Sequence, residues 1–322
     1  MTPRTWQLLR LLADGEFHSG VALGRQLGVS RATVFSALSS VTEFGVQLQR
    51  IRGRGYRLLP AWQPLEADQV NAALTENAAC FQLEILQQAT SSNTELLRRA
   101  SLGAASGCVL AVELQTGGRG RIGRSWHTGL GNALTFSLLW RFNCGLNALS
   151  GLSLAVGVAI MRALQRFEVA GAGLKWPNDI LSSDGKLGGV LIEAQGDMYG
   201  PSSVVIGIGL NCSLPNSLAQ LITQRASALD RLCSRAPDRA QLLAAILQEL
   251  AGVLQQFSSS GFAGFQEEWQ RYHLQQNLPV RLAMPDGSSV NGIALGVSDS
   301  GELRLATADG VRLFNSGEVG AC

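Results

Sequence analysis

Residues 173–193 read GLKWPNDILSSDGKLGGVLIE and contain Lys175 and Lys186, the only lysines among 322 residues, in a chain that otherwise uses Arg. An ammonium is a compact point charge that follows one reacting oxygen, whereas a guanidinium is a rigid fork suited to a planar anion. Two lysines so close together in an Arg-biased chain point to chemistry in which Arg cannot replace Lys, and phosphoryl chemistry supplies it. The plainer reading is a pair of solvated surface residues. Their surroundings favour the first. The apolar runs flanking Ser182, Ser183, Asp184 and Gly185 form two short strands joined by a polar turn, which places one lysine at each end of a hairpin. Gly188 and Gly189 leave room for a ligand against the second strand.

Outward from this hairpin, strands and helices alternate. On its C-terminal side, 204–211 is a core strand with Gly207 and Gly209 where a backbone or ligand comes close, and 239–257 and 262–272 are amphipathic helices. From residue 278, short strands punctuated by Pro-Asp-Gly, Asp-Ser-Gly and Ala-Asp-Gly predict a small β-barrel. On the N-terminal side, 147–167 is a long apolar helix that must pack on a sheet, 133–141 and 109–114 are strands, 81–88 is another strand and 66–74 a helix. Ser91, Ser92, Asn93 and Thr94 open a helix reaching Arg99. The serines serve as caps there, or as donors to a polar ligand ring.

Residues 115–126 read QTGGRGRIGRSW. Gly118, Gly120 and Gly123 have GxGxxG spacing, but a dinucleotide site needs a helix directly after it and an acid some twenty residues on, and neither is present. Gly129 and Gly131 extend the loop instead. No Asp or Glu lies between Glu113 and Glu168, while six Arg do, so the field around the loop is positive and suits a polyanion unless another segment supplies the acids. A flexible, solvated loop is the alternative; Trp126 at its end argues for burial on something. The Gly/Arg alternation gives 117–126 little cause to fold alone, and it is expected to close over a bound ligand.

Residues 1–60 carry eight Arg against three acids, and the rest of the chain carries slightly more acids than cations. A basic first segment on a mildly acidic body suggests an appended nucleic-acid module. Trp6, Leu8, Leu9, Leu11 and Leu12 recur at helical spacing, Ser19 caps a helix ending at Leu27, and Ser30 caps one running from Arg31 to about Phe44. Arg31, Thr33 and Ser36 are left free to meet a major groove, and strands at 46–51 and 56–59 form a wing tipped by Arg52 and Arg54. Protein docking is the other use of such a module. Residues 60–64 read as a linker.

A hydrophobic fraction of 46% and a charged fraction of 16% describe a globular chain of two or three domains. No run of eighteen uncharged apolar residues and no signal-peptide pattern is found, so a cytosolic (cytoplasmic) protein without a membrane segment is expected. Cys80, Cys108, Cys144, Cys212, Cys233 and Cys322 lack CxxC or metal-ligand spacing, and three scattered His complete the case for free thiols and no protein-held metal.

Taken together and in this order, GGRGRIGRSW (117–126), KWPND (175–179), KLGGVLIE (186–193) and IGIGLN (206–211) resemble the bifunctional biotin protein ligases that also act as the biotin repressor. The likeness covers nearly the whole chain. It implies an α/β (α+β) protein with a winged helix-turn-helix at 1–62, a mixed-sheet biotin/lipoyl-ligase catalytic domain at 65–275 with helices on one face, and an SH3-like β-barrel at 276–322. It implies activation of biotin by ATP, with Mg²⁺, to biotinyl-5′-adenylate, and transfer to one lysine of the biotin carboxyl carrier protein of acetyl-CoA carboxylase. Repression of biotin synthesis genes by a ligand-induced homodimer on operator DNA is implied as well. Carried over residue by residue, Ser91, Ser92, Asn93, Gln115, Gly118, Arg119, Gly120, Arg121, Lys186, Gly189 and Gly207 match biotin-contacting positions, and Arg119, Arg121, Trp126, Asn178, Lys186 and Asn211 match adenylate positions. Lys186, Arg121, Asp179 and Lys175 are the catalytic candidates; Asp179 either orients the acceptor lysine or binds Mg²⁺ through water.

The end of the chain departs from the family pattern. Gly317 and Glu318 are present, but Val319, Gly320, Ala321 and Cys322 supply no cation where the family carries a basic residue that reaches ATP. Two other readings compete. A lipoate-protein ligase or octanoyltransferase shares the catalytic fold, and the latter needs a nucleophile such as Cys212; a biotin-sensing repressor without catalysis has no use for both lysines and Asp179.

Overall fold

The computed structural model describes residues 1–75 and 78–321; Cys322 lies outside them. Its first unit is a three-helix module with a wing. Thr2 caps α1 (Pro3–Leu11), Ser19 caps α2 (Gly20–Leu27) and Ser30 caps α3 (Arg31–Ser39), each accepting from a main-chain N–H three residues on. The third helix is shorter than its apolar pattern predicts. Ser39 and Ser40 donate their hydroxyls back to Phe35 O and Ala37 O, a competition that ends a helix, and a 3₁₀ turn over Val41–Phe44 follows. The wing is the antiparallel pair β1 (Gln47–Ile51) and β2 (Gly55–Leu59). Gly55 is obligatory there, because at φ 108 a Cβ would stand 2.0 Å from His18 O.

Residues 60–64 are anchored rather than loose. Trp62 is buried, its N–H donates to Ala13 O, and its ring packs 6.1 Å from that of Trp6. Beneath it, Glu113 accepts from Leu65 N at 2.5 Å and Trp62 Nε1 at 3.4 Å, and pairs with Arg239 at 2.8 Å; Arg239 also donates to Gln63 O. A buried charge pair with so many hydrogen bonds is costly to break on one side, so the two modules are joined by a fixed hub. The apolar core of the first module takes in Leu114 and Leu130 of the second.

The central unit runs α4 (Ala67–Ala73), β3 (Gln82–Ala89), α5 (Ser92–Ser101), β4 (Cys108–Gln115), a two-residue ladder of β5 (Gly118–Arg119) and β6 (Ser125–Trp126), then β7 (Ala133–Phe142), α6 (Leu152–Gln165), β8 (Gly173–Lys175), β9 (Asp179–Ser182), β10 (Gly185–Gly196), β11 (Ser202–Asn211), α7 (Asn216–Ala219), α8 (Arg239–Ser260) and α9 (Gln266–Tyr272). Seven strands form one mixed sheet in the order β3-β4-β7-β11-β10-β9-β8, with only β3 and β4 parallel. The sheet is covered on both faces, not one. Along β4, Val109 and Ala111 join the core beneath α6 and α8, while Leu110 and Val112 pack with Leu96 and Ala100 of α5 on the other side.

Two boundaries differ from the sequence pattern. The apolar stretch expected to be one helix from 147 breaks at Gly151, whose φ of 77 and contact with Phe262 separate a 3₁₀ turn (Leu146–Leu149) from α6. Residues 146–165 are long and apolar enough to cross a bilayer, which the sequence reading excluded; here α6 is sheathed by the sheet and α8, which accounts for its apolarity. The lysine-bearing hairpin is three strands, because 176–178 form a turn between β8 and β9.

The C-terminal unit is a five-stranded antiparallel sheet of β12 (Pro279–Ala283), β13 (Ser289–Val297), β14 (Leu303–Thr307), β15 (Gly310–Phe314) and β16 (Glu318–Ala321), ordered β15-β14-β13-β12-β16. Val280, Leu282, Leu303 and Phe314 share one core with the central unit.

Candidate active site

A cavity of ≈ 580 Å³ opens over the β10/β11 side of the sheet, between the N-terminus of α5, the glycine loop, the turn after β8 and the start of β16. Its polar end is built by α5. Ser91 caps the helix; Gln115 Oε1 accepts from Ser92 N at 2.8 Å and Ser92 Oγ at 3.3 Å; Ser137 Oγ donates to Ser92 Oγ and Asn93 Oδ1. Asn93 in turn donates to Leu191 O and Glu193. Gly207 forms the floor because a Cβ there would lie 2.2 Å from Asn93 Oδ1. Gly189 and Gly120 also line the cavity. Gly118 does not: it sits in the β5/β6 ladder, where a Cβ would meet Trp126 O at 2.5 Å, so it permits the hairpin rather than ligand contact. Trp126 lies across Gly209 and lines the wall.

The other end concentrates cations. Lys186 Nζ stands 2.7 Å from Asp179 Oδ1, with both side chains largely buried. The turn that carries Asn178 and Asp179 is tied down by Trp176 Nε1 donating to Gly301 O, Ser153 Oγ donating to Pro177 O, and Asn178 Nδ2 donating to Val190 O. Arg121 Nη1 reaches Asn178 Oδ1 at 3.2 Å. Burial lowers the pKa of the Arg121 guanidinium, against the fields of Glu318 and Asp179, and burial likewise lowers that of Lys175, with Asp179 opposing and Lys186 adding to the fall. Arg119 pairs with Glu193 at 2.9 Å, and Arg124 with Glu318. The expected unstructured loop is thus a short ladder and a 3₁₀ turn held at both ends by carboxylates. Asn211 lines the cavity from behind, its amide donating to Lys186 O and Ser227 O, so it fixes the Lys186 backbone.

Sequence reasoning missed Ser137 and Glu193, which orient Asn93, and Arg124, which meets Glu318. Their signal was weak: Ser137 is one polar residue in an apolar strand, and the acid at the end of KLGGVLIE carries no motif of its own. Segment 221–224 also lines the cavity and was not anticipated. Cys212 is buried, and desolvation pushes its thiol up to about 11, the opposite of an activated thiolate, so nothing here supports the octanoyltransferase reading's one candidate nucleophile. Among the described residues no three His, Cys, Asp or Glu are grouped to hold a metal.

On the first module, Arg31 and Ser36 are exposed on α3 and Thr33 is half-buried, bonded through its N–H to the Ser30 cap. Arg52 and Arg54 are exposed at the wing tip. Arg50 and Arg57, which sequence reasoning passed over, join them: Arg50 lies 4.4 Å over the Phe35 ring, Arg54 4.1 Å and Arg57 5.0 Å over Phe17.

Comparison with known proteins places these observations. The profile of the Biotin/lipoate A/B protein ligase family matches residues 85–211, that of the biotin protein ligase C-terminal domain 277–319, and that of an HTH domain 4–57. The bifunctional ligase/repressor BirA of Salmonella typhimurium is 32% identical over 97% of this chain and 95% of its own length. The biotin--[acetyl-CoA-carboxylase] ligase of Mycobacterium tuberculosis is 33% identical over 74% of this chain and 88% of its own. Among solved structures, the Aquifex aeolicus biotin protein ligase in complex with biotin and ATP superposes with a TM-score of 0.62 at 27% identity, covering 74% of this chain and 97% of that one. With a winged module, a ligase sheet and a C-terminal sheet all matched in order, the chain belongs to the family of bifunctional biotin ligase/repressors.

Proposed function

We propose that the protein is an ATP-dependent biotin–[biotin carboxyl carrier protein] ligase that works through biotinyl-5′-adenylate, and a DNA-binding repressor of biotin synthesis genes that its own intermediate controls. The observation that carries the reading is the single cavity that joins the polar end at Ser92, Asn93 and Gln115 to the cationic end at Arg121, Lys175 and Lys186. A neutral, hydrogen-bonding ring fits the first end and a polyanion the second, and the ligand's two ends must be one molecule's length apart.

The chemistry follows from that placement. A biotin carboxylate oxygen attacks the α-phosphorus of ATP, the bond to the bridging oxygen of the β-phosphate breaks, and pyrophosphate leaves. Two anions must approach, so the cations have to neutralise them without attacking; Lys186, held by Asp179, and Arg121 are suited to the developing charge because they are already fixed. To Asp179 we assign the role of orienting the carrier lysine and taking the proton its amine loses as it displaces AMP from the acyl carbon. Mg²⁺ is best matched as an ion borne by the nucleotide: the carboxylates lining the cavity, Asp179 and Glu318, are each paired with a cation, so the phosphates would be its main ligands, with Asp179 reaching it through water. Bound there, it would supply charge neutralisation on the phosphates.

Operator binding is assigned to α3 and the wing, through Arg31, Thr33, Ser36, Arg52 and Arg54, in the cytoplasm. Two modules on a two-fold dimer gain by effective concentration and read a palindromic site. For the dimer, the edge of β10 is the natural contact: β9 pairs with it only at Gly185–Gly189, so 190–196 have a strand on one side alone among the described residues. The deciding experiment incubates the protein with ATP and either biotin or lipoate, and follows acyl-adenylate, pyrophosphate and labelled carrier protein. Biotin should give all three; lipoate turnover, or no adenylate, would sink the ligase reading. Operator binding measured against protein concentration, with and without biotin plus ATP, tests the rest: equal affinity in both would remove the regulatory half.

A further inference from the structure

The outer side of α3 is not uniformly polar. Val34 and Leu38 face the core of the first module, which turns Arg31, Ala32, Phe35, Ser36 and Ser39 outward, all of them exposed. Phe35 is 44% exposed, and among the described residues of 1–60 only Val21 is another large apolar side chain left so open. A single exposed apolar residue is ordinary on a protein surface. This one, however, lies one turn from Ala32 and one from Ser39, on the face that the operator-binding reading sets against DNA. Its neighbours narrow what that face offers. Ser39 Oγ donates to Phe35 O at 2.7 Å, so its proton is engaged within the helix, and reach toward base edges is left to Arg31 and Ser36, with Ala32 and Phe35 as an apolar patch beside them. The ring is also held. The Arg50 guanidinium of β1 lies 4.4 Å from its centroid and 6.0 Å from that of Tyr56, a cation on a ring face, so the wing braces Phe35 while leaving it open. A ring has no donor to offer a phosphate. In a major groove the apolar group that a base pair presents is the 5-methyl of thymine.

We propose that Phe35 is a specificity-determining residue that reads the 5-methyl group of one thymine in each half-site of the operator. The proposal deepens the operator-binding reading and rests on it. Phe35 then supplies discrimination between base pairs, which the charge of Arg52 and Arg54 at the wing tip does not.

The test removes the methyl group from the DNA first, so that folding of a variant is not at stake. Full-length wild-type protein with biotin and ATP selects bound duplexes from a random-sequence pool. In the selected duplex each thymine in turn is replaced by deoxyuridine, which keeps the base-pairing edge and loses only the methyl, and fluorescence anisotropy gives Kd. At one thymine per half-site the replacement should weaken wild-type binding about fourfold, as for one buried methyl group, with the salt dependence unchanged because no phosphate contact is altered. Phe35→Ala should bind the thymine and deoxyuridine duplexes equally at that position, Phe35→Leu should keep part of the difference, and both variants should melt close to wild type. Selected half-sites without thymine, wild-type affinity indifferent to every deoxyuridine, or a methyl effect that persists in Phe35→Ala would overturn the proposal. A pool that returns no shared sequence would instead overturn the operator-binding reading beneath it.

Discussion

The wing and the glycine loop are both short hairpins rich in Arg, yet they hold their charge in opposite ways. In the wing, Arg50, Arg54 and Arg57 lie on the rings of Phe35 and Phe17, and among the described residues none of them, nor Arg52, forms an ion pair. In the glycine loop, Arg119 pairs with Glu193, Arg124 with Glu318, and Arg121 bonds Asn178. A ring face orients a guanidinium without cancelling it, so the wing keeps net charge for a long, repeating polyanion whose condensed counterions it can release. Compensated and tethered cations do little for diffuse attraction. They are already in place when charge develops on one compact anion, and reorganisation is avoided at the moment of reaction.

The largest effect should come from the point where fixation is tightest. Lys186→Ala is expected to lower the rate of pyrophosphate release about 10²- to 10³-fold, as for loss of a central charge stabiliser, with the circular dichroism spectrum unchanged. Lys186→Arg sharpens the comparison, since it keeps the charge but cannot place it on one oxygen; near-normal turnover in either variant would break it. Next in size is the tether. Arg121→Gly should loosen the loop and free adenylate to label unrelated lysines, with release about 10- to 100-fold faster than wild type, the range for one or two charged hydrogen bonds. Trapping released adenylate with free lysine or bystander protein measures this, and retention with carrier selectivity intact would mean the loop is no lid.

How much of this was legible in the sequence differs between the same two regions. The wing could be read almost whole, because caps at Ser19 and Ser30 and strands about a Gly-Arg-Gly turn are local signals. What escaped was cross-chain: Phe17 under Arg54 and Arg57 has no sequence signature. In the site, every candidate but Gly118 lines the cavity or backs it, since glycines and lone polar residues in apolar runs are conspicuous. The partners were not legible. Glu193 lies 74 residues from Arg119 and Glu318 lies 194 from Arg124, and only sheet order β7-β11-β10 and the docking of the C-terminal sheet bring them together. The two-sided cover of the sheet was hidden for the same reason: a strand buried on both faces shows no alternation.

Smaller effects are expected in the wing. Arg52→Ala and Arg54→Ala should each weaken operator and non-operator DNA alike, and reduce the slope of log K against log salt by about 1 apiece. Fluorescence anisotropy over a salt series measures both. A variant that lost operator binding while keeping its salt slope would show a base-reading role and break the picture of diffuse charge.

The smallest effect reads the catalytic end through the proton on Lys175. Burial holds the Lys175 ammonium below its ordinary pKa of 10.5, so between the lowered value and 10.5 the unfolded chain binds more protons than the folded one. Stability contributed by this group therefore rises with pH across that window, and the penalty of burying the charge is fully present below it. Lys175→Met removes the titrating group, so its unfolding free energy should climb less steeply than wild type as pH rises toward 10.5. The difference in slope should fall below the ~1.4 kcal/mol per pH unit that one whole proton gives. Urea titrations at a series of pH values on the two proteins decide it: parallel curves for wild type and Lys175→Met would mean that Lys175 is hydrated in solution, and the contrast between the catalytic end and the wing would then have to rest on the ion pairs alone.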